Sequence, residues 1–462
     1  MGSVKKDILV LGAGLSGLGA AWHINKKKPD LNITILERLP HLGGLAMSPL
    51  HENKYYLDFG PHFLTVETEE LMNKIKLLVG DDLLEMQRLC LLYFNNSYMS
   101  YPPSPKNILF ELGPKTALLS TLSYIKSRIF YKKNFDNFED WSKYNFGDHL
   151  YNIFFKPYTE NFWGMKCTEL ASKWADARVS KMSFVKALMD LFIKSVQNTS
   201  IMRDKLPMYY PKKGTGEFAK KMAKELKDNG ADLVLGSSIV SIKINKNSKK
   251  LKKFEVTSIE NGSKKVYHAD YLLSTIPMTQ FIGILEPTPP PIVTTSAKSL
   301  KFRSLLVMHI VTKKKDILNA PYIYYHGRSY HRLTESAKIS KSLAPEGENM
   351  ICVEKSCFVG DEVWSYDKKK LFELFITDLE KDGILRREDV IKTFLMKEEH
   401  VYPVYAKNFN KPLDIVKKHL DDVPNFRYLG RPGAFLYLDM DQSLERSFKI
   451  AESLLDNIVK GK

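Results

Sequence analysis

The stretch DILVLGAGLSGLGAAWHINKKKPDLNITILE, residues 7–37, decides the fold of this chain. Its first apolar run predicts a buried strand over residues 7–12, and its second predicts another strand over residues 32–37. Between them, an apolar face repeating at helical spacing predicts a helix over residues 16–28. Strand, helix and strand within about thirty residues form a βαβ unit. The sequence therefore predicts an α/β fold that begins with a dinucleotide-binding unit.

Three glycines between the first strand and the helix form a GxGxxG motif. Gly12 permits a tight turn, Gly14 lets the backbone approach a pyrophosphate, and Gly17 lets the helix pack closely on the strand. Glu37 ends the second strand, where its carboxylate would accept hydrogen bonds from ribose hydroxyls and would disfavour a 2′-phosphate. The motif therefore predicts a bound dinucleotide other than NADP.

Composition and cysteine usage exclude several classes of protein. The chain has 462 residues, of which 44% are hydrophobic and 26% charged, which excludes a disordered, collagenous or coiled-coil protein. Its four cysteines form no CxxC pair and no cluster with histidine, which argues against a disulfide scaffold or a zinc site. Neither a signal peptide nor an apolar run of about 18 residues is recognisable. We therefore expect a cytoplasmic protein without a metal site.

The balance of charges is unusual, since 69 Lys and Arg against 53 Asp and Glu give a net charge of +16. Such a charge favours anionic partners, namely phosphorylated substrates, nucleic acid or anionic lipid. The basic residues are scattered, however, in runs such as Lys249–Lys253 and Lys313–Lys315, and such runs are typical of a solvated surface. We therefore expect a small-molecule substrate and no nucleic-acid partner.

Helical and strand patterns alternate along the rest of the chain. They predict mainly helical structure over residues 66–175, helices over 181–195, 217–228, 368–380 and 442–459, strands over 232–246, 253–258, 270–276, 301–312 and 349–358, and a rigid loop over 286–291. This order predicts discontinuous domains. The prediction is a dinucleotide-binding domain from residues 1–75, 215–285 and 420–462, a helical lobe from 76–214, and a substrate-binding domain from 286–419.

Two further glycine-rich segments carry a resemblance to a known family. The first reads E-R-x-x-x-x-G-G from Glu37 and then D-x-G-P-H from Asp58, and the second, YLGRPGAFLYLDMDQS, spans residues 428–443. Together with the N-terminal motif they resemble the FAD-dependent superfamily of amine oxidases, protoporphyrinogen oxidase, phytoene desaturase and UDP-galactopyranose mutase. The resemblance covers essentially the whole chain. It implies non-covalent FAD in a glutathione-reductase-like FAD-binding dinucleotide fold, with a mixed-sheet substrate domain and a helical lobe.

The resemblance also implies which residues hold FAD. In the superfamily the segment after the ribose carboxylate approaches the flavin ring, a strand such as Ile239–Ile242 contacts adenine, and a C-terminal helix points its N-terminus at the flavin. A helix dipole in that position would stabilise a reduced, anionic flavin. The implied cofactor-binding residues are Gly12, Gly14, Gly17, Glu37, Arg38, Gly43, Gly44, Gly60, Pro61, His62, Ile239, Gly430, Arg431, Asp439 and Met440.

On the substrate side, the segment Y-T-x-x-x-W-G from Tyr158 resembles the UDP-galactopyranose mutases, in which Tyr and Trp line a nucleotide-sugar pocket. The resemblance implies that Tyr158, Trp163, Arg332, Tyr402 and Tyr437 bind substrate, with the arginine gripping a diphosphate, which suits a guanidinium fork. The alternatives are that Tyr158 and Trp163 are core aromatics and that Arg332 forms a surface ion pair.

Two departures separate this chain from the mutases: Lys181 stands near the position of a mobile lid arginine, and Thr65 stands in place of a second histidine. We therefore favour an FAD-dependent oxidoreductase acting in sugar or small-metabolite biosynthesis. The alternative is a mutase-like enzyme in which N5 of reduced flavin is the nucleophile on a nucleotide sugar. The flavin would carry the chemistry, with His62, Tyr437 and Asp439 as catalytic candidates. The substrate, the electron acceptor and the oligomeric state stay open.

Residues 115–133, KTALLSTLSYIKSRIFYKK, predict a basic amphipathic helix. Such a helix could dock on an anionic membrane surface. The alternative is a helix that covers the flavin-binding part of the molecule with its apolar face, and on the sequence alone we favour this alternative.

Overall fold

The fold is given by a computed structural model, which describes residues 6–100, 113–131, 133, 135–178, 206–245 and 253–459. The α-helices of this part of the chain are Leu15–Lys27, Glu69–Val79, Gly113–Phe130, Phe138–Leu150, Lys156–Trp163, Lys173–Arg178, Gly216–Asp228, Met278–Gly283, Pro291–Ser299, Ser336–Ile339, Glu362–Ser365, Lys368–Lys381, Asn410–Asp421, Arg431–Ala434 and Met440–Val459. A π-helical turn, Tyr151–Phe155, leads into the helix that begins at Lys156.

A five-stranded sheet organises the N-terminal part of the fold. Its strands, in spatial order, are Phe426–Tyr428, Tyr271–Ser274, Asp7–Leu11, Asn32–Glu37 and Asp232–Leu235. All neighbouring strands are parallel, so their carboxyl ends meet at one edge of the sheet. In parallel α/β sheets this edge is where ligands bind.

Two larger sheets complete the strand structure. The four-stranded sheet runs in the order Ser263–Ala269, Phe254–Glu260, Ser237–Ile244 and Leu285–Glu286. The seven-stranded sheet runs in the order Val390–Pro403, Phe302–Thr312, Asn349–Cys357, Arg332–Glu335, Tyr322–Tyr325, Cys90–Phe94 and Ser97–Ser100. Both are mixed, because each contains one parallel pair among antiparallel ones. Two short antiparallel pairs, Leu50–His51 with Tyr55–Tyr56 and Leu83–Met86 with Met208–Pro211, lie outside them.

The parallel sheet is buried by helices because its central strand is apolar on both faces. Val10 and Leu11 have no exposed surface, and neither does Ile35 on the neighbouring strand. The helices Leu15–Lys27 and Met440–Val459 contribute apolar residues to the same core cluster as Val10 and Ile35. The first and last helices of the described chain therefore pack together against the parallel sheet.

The predicted βαβ unit is confirmed, with strands Asp7–Leu11 and Asn32–Glu37 around the helix Leu15–Lys27. The predicted helices over 217–228, 368–380 and 442–459 and the strands over 253–258, 270–276, 301–312 and 349–358 are also present, with shifted ends. The segment 232–246 is divided at Gly236, and its two strands belong to different sheets. The predicted helix over 181–195 lies outside the described residues.

The prediction of mainly helical structure over residues 66–175 is wrong for residues 83–100. Strands Leu83–Met86, Cys90–Phe94 and Ser97–Ser100 lie there. Asn95 and Asn96 both have positive φ angles, 51° and 62°, as in the two-residue turn of a tight hairpin. The Asn-Asn pair was therefore the missed signal. The division into three domains stays a prediction, although the strands Cys90–Phe94 and Ser97–Ser100 lie in the same sheet as strands of residues 302–403.

Across the described part of the chain, no helix combines the length and the apolar character needed to cross a lipid bilayer. The cytoplasmic location stays a prediction.

Candidate functional site

A groove of about 580 Å³ lies at the carboxyl edge of the parallel sheet, a size within the usual range for ligand pockets. It collects most of the residues that the sequence predicted as cofactor contacts: Gly12, Gly14, Glu37, Arg38, Gly43, Gly44, His62, Ile239, Gly430, Arg431 and Met440. These residues come from distant parts of the chain and meet because the strands that precede several of them are neighbours in one sheet. Gly17, Gly60, Pro61 and Asp439 do not line the groove.

The surroundings of Gly14 show whether the groove fits a dinucleotide. Its φ of −70° is open to any amino acid, and a Cβ built on it would make only ordinary contacts, the nearest at 3.8 Å from the Cα of Gly44. By contrast, Gly12 has a φ of +99°, and a Cβ on Gly17 would overlap the carbonyl of Gly12. The protein itself therefore requires glycine at 12 and 17 but not at 14, where the bare backbone faces the groove. This fits a ligand that approaches the backbone closely.

The helix Leu15–Lys27 begins directly beside that backbone and has no side-chain cap at its N-terminus. Uncapped N–H groups and the helix dipole favour an anion at this position. The segment Gly43–Gly44 lies against the same turn, since the N–H of Gly43 donates to the carbonyl of Ala13 at 3.0 Å. The two glycine segments thus form one backbone surface that suits a pyrophosphate.

Glu37 lines the groove and is held in place by the backbone. Its Oε2 accepts a hydrogen bond from the N–H of Ala13, and its Oε1 accepts one from the N–H of Leu39, both at 2.8 Å. Burial raises the pKa of Glu37, although these two hydrogen bonds oppose the shift. Each carboxylate oxygen has a second lone pair that can accept a ribose hydroxyl.

His62 and Arg431 also line the groove, and they are close enough for the charge of the arginine to act on the imidazole. Because a carbonyl can only accept, Nδ1–H of His62 donates to the carbonyl of Gly60 at 3.0 Å, which leaves Nε2 as an acceptor. Burial, together with the charges of Arg431 and Arg332, lowers the pKa of His62 to about 3. The imidazole is therefore neutral at pH 7.

Arg431 lies over two stacked tyrosine rings. Tyr402 and Tyr437 have ring centroids 5.4 Å apart at an interplanar angle of 14°, and the guanidinium carbon is 5.4 Å and 5.2 Å from the two centroids. Nε and Nη2 of Arg431 donate to the carbonyl of Leu438 at 3.0 and 2.6 Å. The two tyrosines therefore lie beside the groove through their contact with Arg431, and their role as substrate contacts stays a prediction.

Arg332 pairs with Glu354 on the neighbouring antiparallel strand. Nε and Nη2 of the guanidinium donate to the two carboxylate oxygens at 2.6 and 2.7 Å, and only 16% and 3% of the two side chains are exposed. A Cβ on Gly60 would lie 2.9 Å from Oε2 of Glu354 and 3.3 Å from Nη2 of Arg332. Gly60 is therefore a packing contact between the D-x-G-P-H segment and the seven-stranded sheet.

Comparisons with known proteins agree with this geometry. Residues 10–75 match the family described as NAD(P)-binding Rossmann-like domain. A structure of reduced UDP-galactopyranose mutase superposes with a TM-score of 0.82 at 20% identity and covers 98% of this chain and 94% of that one. A structure from Exiguobacterium sp. 255-15, described as a protoporphyrinogen oxidase, superposes with a TM-score of 0.73 at 15% identity over 98% and 100% of the two chains.

This chain has the fold of the FAD-dependent amine oxidase superfamily. The predicted fold class is thereby confirmed, and so is the resemblance to the superfamily at the level of the fold. A curated relative, the FAD-containing monooxygenase MymA of Mycobacterium tuberculosis, is 53% identical over 38 residues. That match spans 8% of this chain and 8% of MymA.

Within this superfamily fold, the structure corrects the prediction that Trp163 binds substrate. The Trp163 side chain is fully buried, and its ring meets those of Trp174 and Phe162 edge-on at centroid distances of 5.6 and 5.3 Å. It is a core aromatic, as the alternative interpretation held. Tyr158 is half-buried and lies beside the rings of Tyr324 and His326, at 6.5 and 6.3 Å, so it stays a candidate.

The remaining predicted residues fall beside the groove. Asp439 precedes the last helix, where its carbonyl accepts from the N–H of Ser443 at 2.9 Å, and its charge acts on the imidazole of His62. Pro61 lines a separate small cavity that it shares with Asp58 and Tyr210. Arg332 does form an ion pair, as the alternative interpretation held. The pair is mostly buried, however, and does not lie on the surface.

Sequence reasoning missed the far wall of the groove, which consists of residues 397–400 and Trp364. Residues 397–400 belong to the edge strand Val390–Pro403, which no sequence pattern had predicted because most of its residues are half-exposed. Arg38 and Glu398 approach each other across the groove at 4.0 Å. The signal that could have found this strand is its run of β-branched and aromatic residues between charged ones.

Asp58 belongs to the D-x-G-P-H motif, and its side chain is buried and hydrogen-bonded to three other segments of the chain. Its carboxylate accepts hydrogen bonds from the hydroxyls of Ser48 and Tyr210 and from the N–H of Thr215. Burial raises the pKa of Asp58 to about 6, although these hydrogen bonds oppose the shift. It ties the segment after the second glycine pair to the start of the helix Gly216–Asp228.

Proposed function

We propose that this chain is an FAD-dependent oxidoreductase that holds the cofactor non-covalently in the groove. The adenosine end would lie at Glu37 and Ile239, the pyrophosphate at Gly14, and the flavin at His62 and Arg431. The observation that carries this proposal is Gly14, where a position free to hold a side chain leaves the backbone bare beside an uncapped helix N-terminus. When bound, FAD supplies the capacity to accept a hydride from a C–H bond, so that an adjoining C–N or C–C bond is oxidised to a double bond.

The chain's own residues would position both partners of that reaction. The N-terminus of the helix Leu15–Lys27 offers N–H groups to the pyrophosphate, and Glu37 offers its oxygens to the ribose. His62 has a pKa of about 3, so it accepts a hydrogen bond at Nε2 rather than taking a proton at pH 7. Arg431 keeps a positive charge at the flavin end, which favours electron-rich forms of the ring system.

The substrate would bind where the tyrosines meet this end of the groove. Tyr402 and Tyr437 present stacked rings with hydroxyl groups. Tyr158 lies on the helix Lys156–Trp163. The ring of Phe162, on the same helix, is 5.4 Å from that of Tyr402. Aromatic faces with hydroxyl donors suit a sugar or another small polar metabolite. We infer a role in sugar or small-metabolite biosynthesis from this lining.

A second candidate is a mutase acting on a nucleotide sugar, with the reduced cofactor as nucleophile. The superposition on UDP-galactopyranose mutase favours it, since it extends over 98% of this chain with a TM-score of 0.82. The state of Arg332 opposes it, because both arms of the guanidinium face Glu354 and the positive charge is already neutralised. A diphosphate would have to compete with a buried carboxylate.

The test begins with the purified protein. We expect a yellow protein whose flavin is released on denaturation and has the mass of FAD, and a colourless protein that takes up no added FAD would refute the proposal. The flavin is then reduced anaerobically, mixed with UDP- and dTDP-sugars, treated with cyanoborohydride and weighed. An unmodified flavin supports the oxidoreductase, whereas a flavin heavier by the mass of a sugar would establish the mutase instead.

A further inference from the structure

The helix Gly113–Phe130 exposes a stripe of large apolar side chains. Its members are Leu118, Leu122, Ile125 and Ile129, with exposed fractions of 61%, 55%, 50% and 70%. Their spacing of four, three and four residues places them on one face of the helix. Leu119 and Phe130 extend the exposed apolar surface. Contiguous apolar surface of this kind marks a contact with another molecule.

The opposite face of this helix packs against the rest of the protein. Ala117, Ser120, Tyr124 and Ser127 are buried there, and the helix Phe138–Leu150 packs closely against them. Gly147 has a φ of +83°, and a Cβ on it would lie 2.6 Å from the backbone nitrogen of Tyr124. The N–H of His149 donates to Oγ of Ser123 at 2.9 Å. Apart from Tyr124, small residues therefore face inward and large apolar residues outward, the reverse of an ordinary surface helix.

The charged side chains of this helix all have one sign. Residues 113–130 contain no Asp or Glu. Lys115, Lys126 and Lys133 are exposed, and none of them forms an ion pair with a described carboxylate. Arg128 is turned inward, since its Nε donates to the hydroxyl of Tyr124 at 2.8 Å and its guanidinium lies 4.2 Å from the ring of Tyr144. Exposed ammonium groups therefore lie beside the apolar stripe, at Lys115 and Lys126, and just beyond the helix, at Lys133.

We propose that the helix Gly113–Phe130 docks this protein on an anionic lipid surface. The apolar stripe would enter the boundary between headgroups and acyl chains, and the lysines would meet lipid phosphates. At about 1.5 Å per residue, an 18-residue helix offers about 27 Å of contact along the membrane plane. The net charge of +16 adds attraction at longer range.

A second copy of the chain is the less favourable occupant. A symmetric contact through this face would bring together two helices that both carry lysines and no carboxylates, and like charges in an interface cost free energy. A bilayer containing acidic lipids supplies both an apolar phase and the opposite charge.

Sedimentation with vesicles tests the proposal at low ionic strength. We expect the full-length holoprotein to sediment with vesicles of phosphatidylcholine and phosphatidylglycerol but not with phosphatidylcholine alone. Ile125→Glu should lower the partition coefficient about tenfold or more, since it removes an inserted apolar side chain and adds a negative charge. The matched control is Ile292→Glu, because Ile292 is 62% exposed on the unrelated helix Pro291–Ser299. No binding of the wild type, or equal losses in both variants, would overturn the proposal.

A label at the stripe separates lipid from the other occupants. All four native cysteines are buried, so Leu122→Cys can be labelled selectively with an environment-sensitive fluorophore. Blue-shifted emission on adding phosphatidylglycerol vesicles is the expected result. A thiol at 122 that is unreactive without lipid would mean that the stripe is already covered by protein. If light scattering shows a dimer that Ile125→Glu dissociates, the stripe is a subunit contact. Either an unreactive thiol or such a dimer would refute membrane docking.

Discussion

Arg332 and Glu354 lie opposite each other on neighbouring antiparallel strands, and two nitrogens of the guanidinium donate to the two carboxylate oxygens at 2.6 and 2.7 Å. The pair joins the seven-stranded sheet to the D-x-G-P-H segment, because Gly60 packs against both side chains. It therefore holds the segment that carries His62 against that sheet, beside the proposed flavin site.

Removing one partner of this pair should be costly. Glu354→Gln leaves a buried guanidinium without its counter-charge, and such changes cost about 3–5 kcal/mol. Urea unfolding of the holoprotein measures the loss. Glu445→Gln serves as the control, because the pair Lys449–Glu445 is an exposed contact of residues four apart on a helix and should contribute about 0.5 kcal/mol or less. Equal decreases in the unfolding free energy of the two variants would mean that the buried pair stabilises the fold no more than the exposed one.

Gly14→Val should abolish flavin binding while leaving the fold intact. The position tolerates a Cβ within the protein, but a side chain there would occupy the space through which a pyrophosphate approaches. The ratio of flavin to protein after purification and the circular dichroism spectrum measure the two effects. Gly283→Val is the matched control, since Gly283 also has an ordinary φ and open space around its Cα and does not line the groove. A yellow Gly14→Val protein would refute the assignment of the pyrophosphate site.

Asp58 should make stability depend on pH. Its pKa is about 6 in the folded protein and about 3.9 in an unfolded chain. The folded state therefore holds the extra proton between these values, and this carboxyl group destabilises the fold progressively as the pH rises from about 4 to about 6. The effect is on the order of 3 kcal/mol. The difference in unfolding free energy between wild type and Asp58→Asn should change across this window and stay constant above it.

Tyr210→Phe supplies the control for that titration. The hydroxyl of Tyr210 donates to Asp58 and opposes the rise in the pKa. Its removal should move the pH window upward, since the charged carboxylate loses a donor. A window that stays in place, or moves downward, would show that another group causes the pH dependence.

Trp163→Ala should destabilise the protein by about 3–5 kcal/mol, because it leaves a cavity against Trp174 and Phe162. Tyr158→Ala should cost less, since Tyr158 is half-buried. Thermal unfolding measures both. A Trp163→Ala protein that unfolds like the wild type would restore the original prediction that this residue belongs to the substrate pocket.

The sequence by itself determined the βαβ unit and the sheet edge at which the groove lies. The apolar strands 7–11 and 32–37, the glycines between them and Glu37 interact within about thirty residues, so local patterns are sufficient to predict their arrangement. The C-terminal segment around Arg431 was found by its resemblance, although it reaches the groove from the far end of the chain.

The tertiary structure alone decided which side chains face a ligand and which face the protein. Trp163 and Arg332 have residue types that suit substrate binding, but packing buries the first and an ion pair across two strands engages the second. The same holds for the helix Gly113–Phe130, whose apolar stripe could be assigned to the surface only after its small residues were seen to pack inward. The physical reason is that burial depends on neighbours distant in sequence, whereas helical and strand periodicity depends on residues close in sequence.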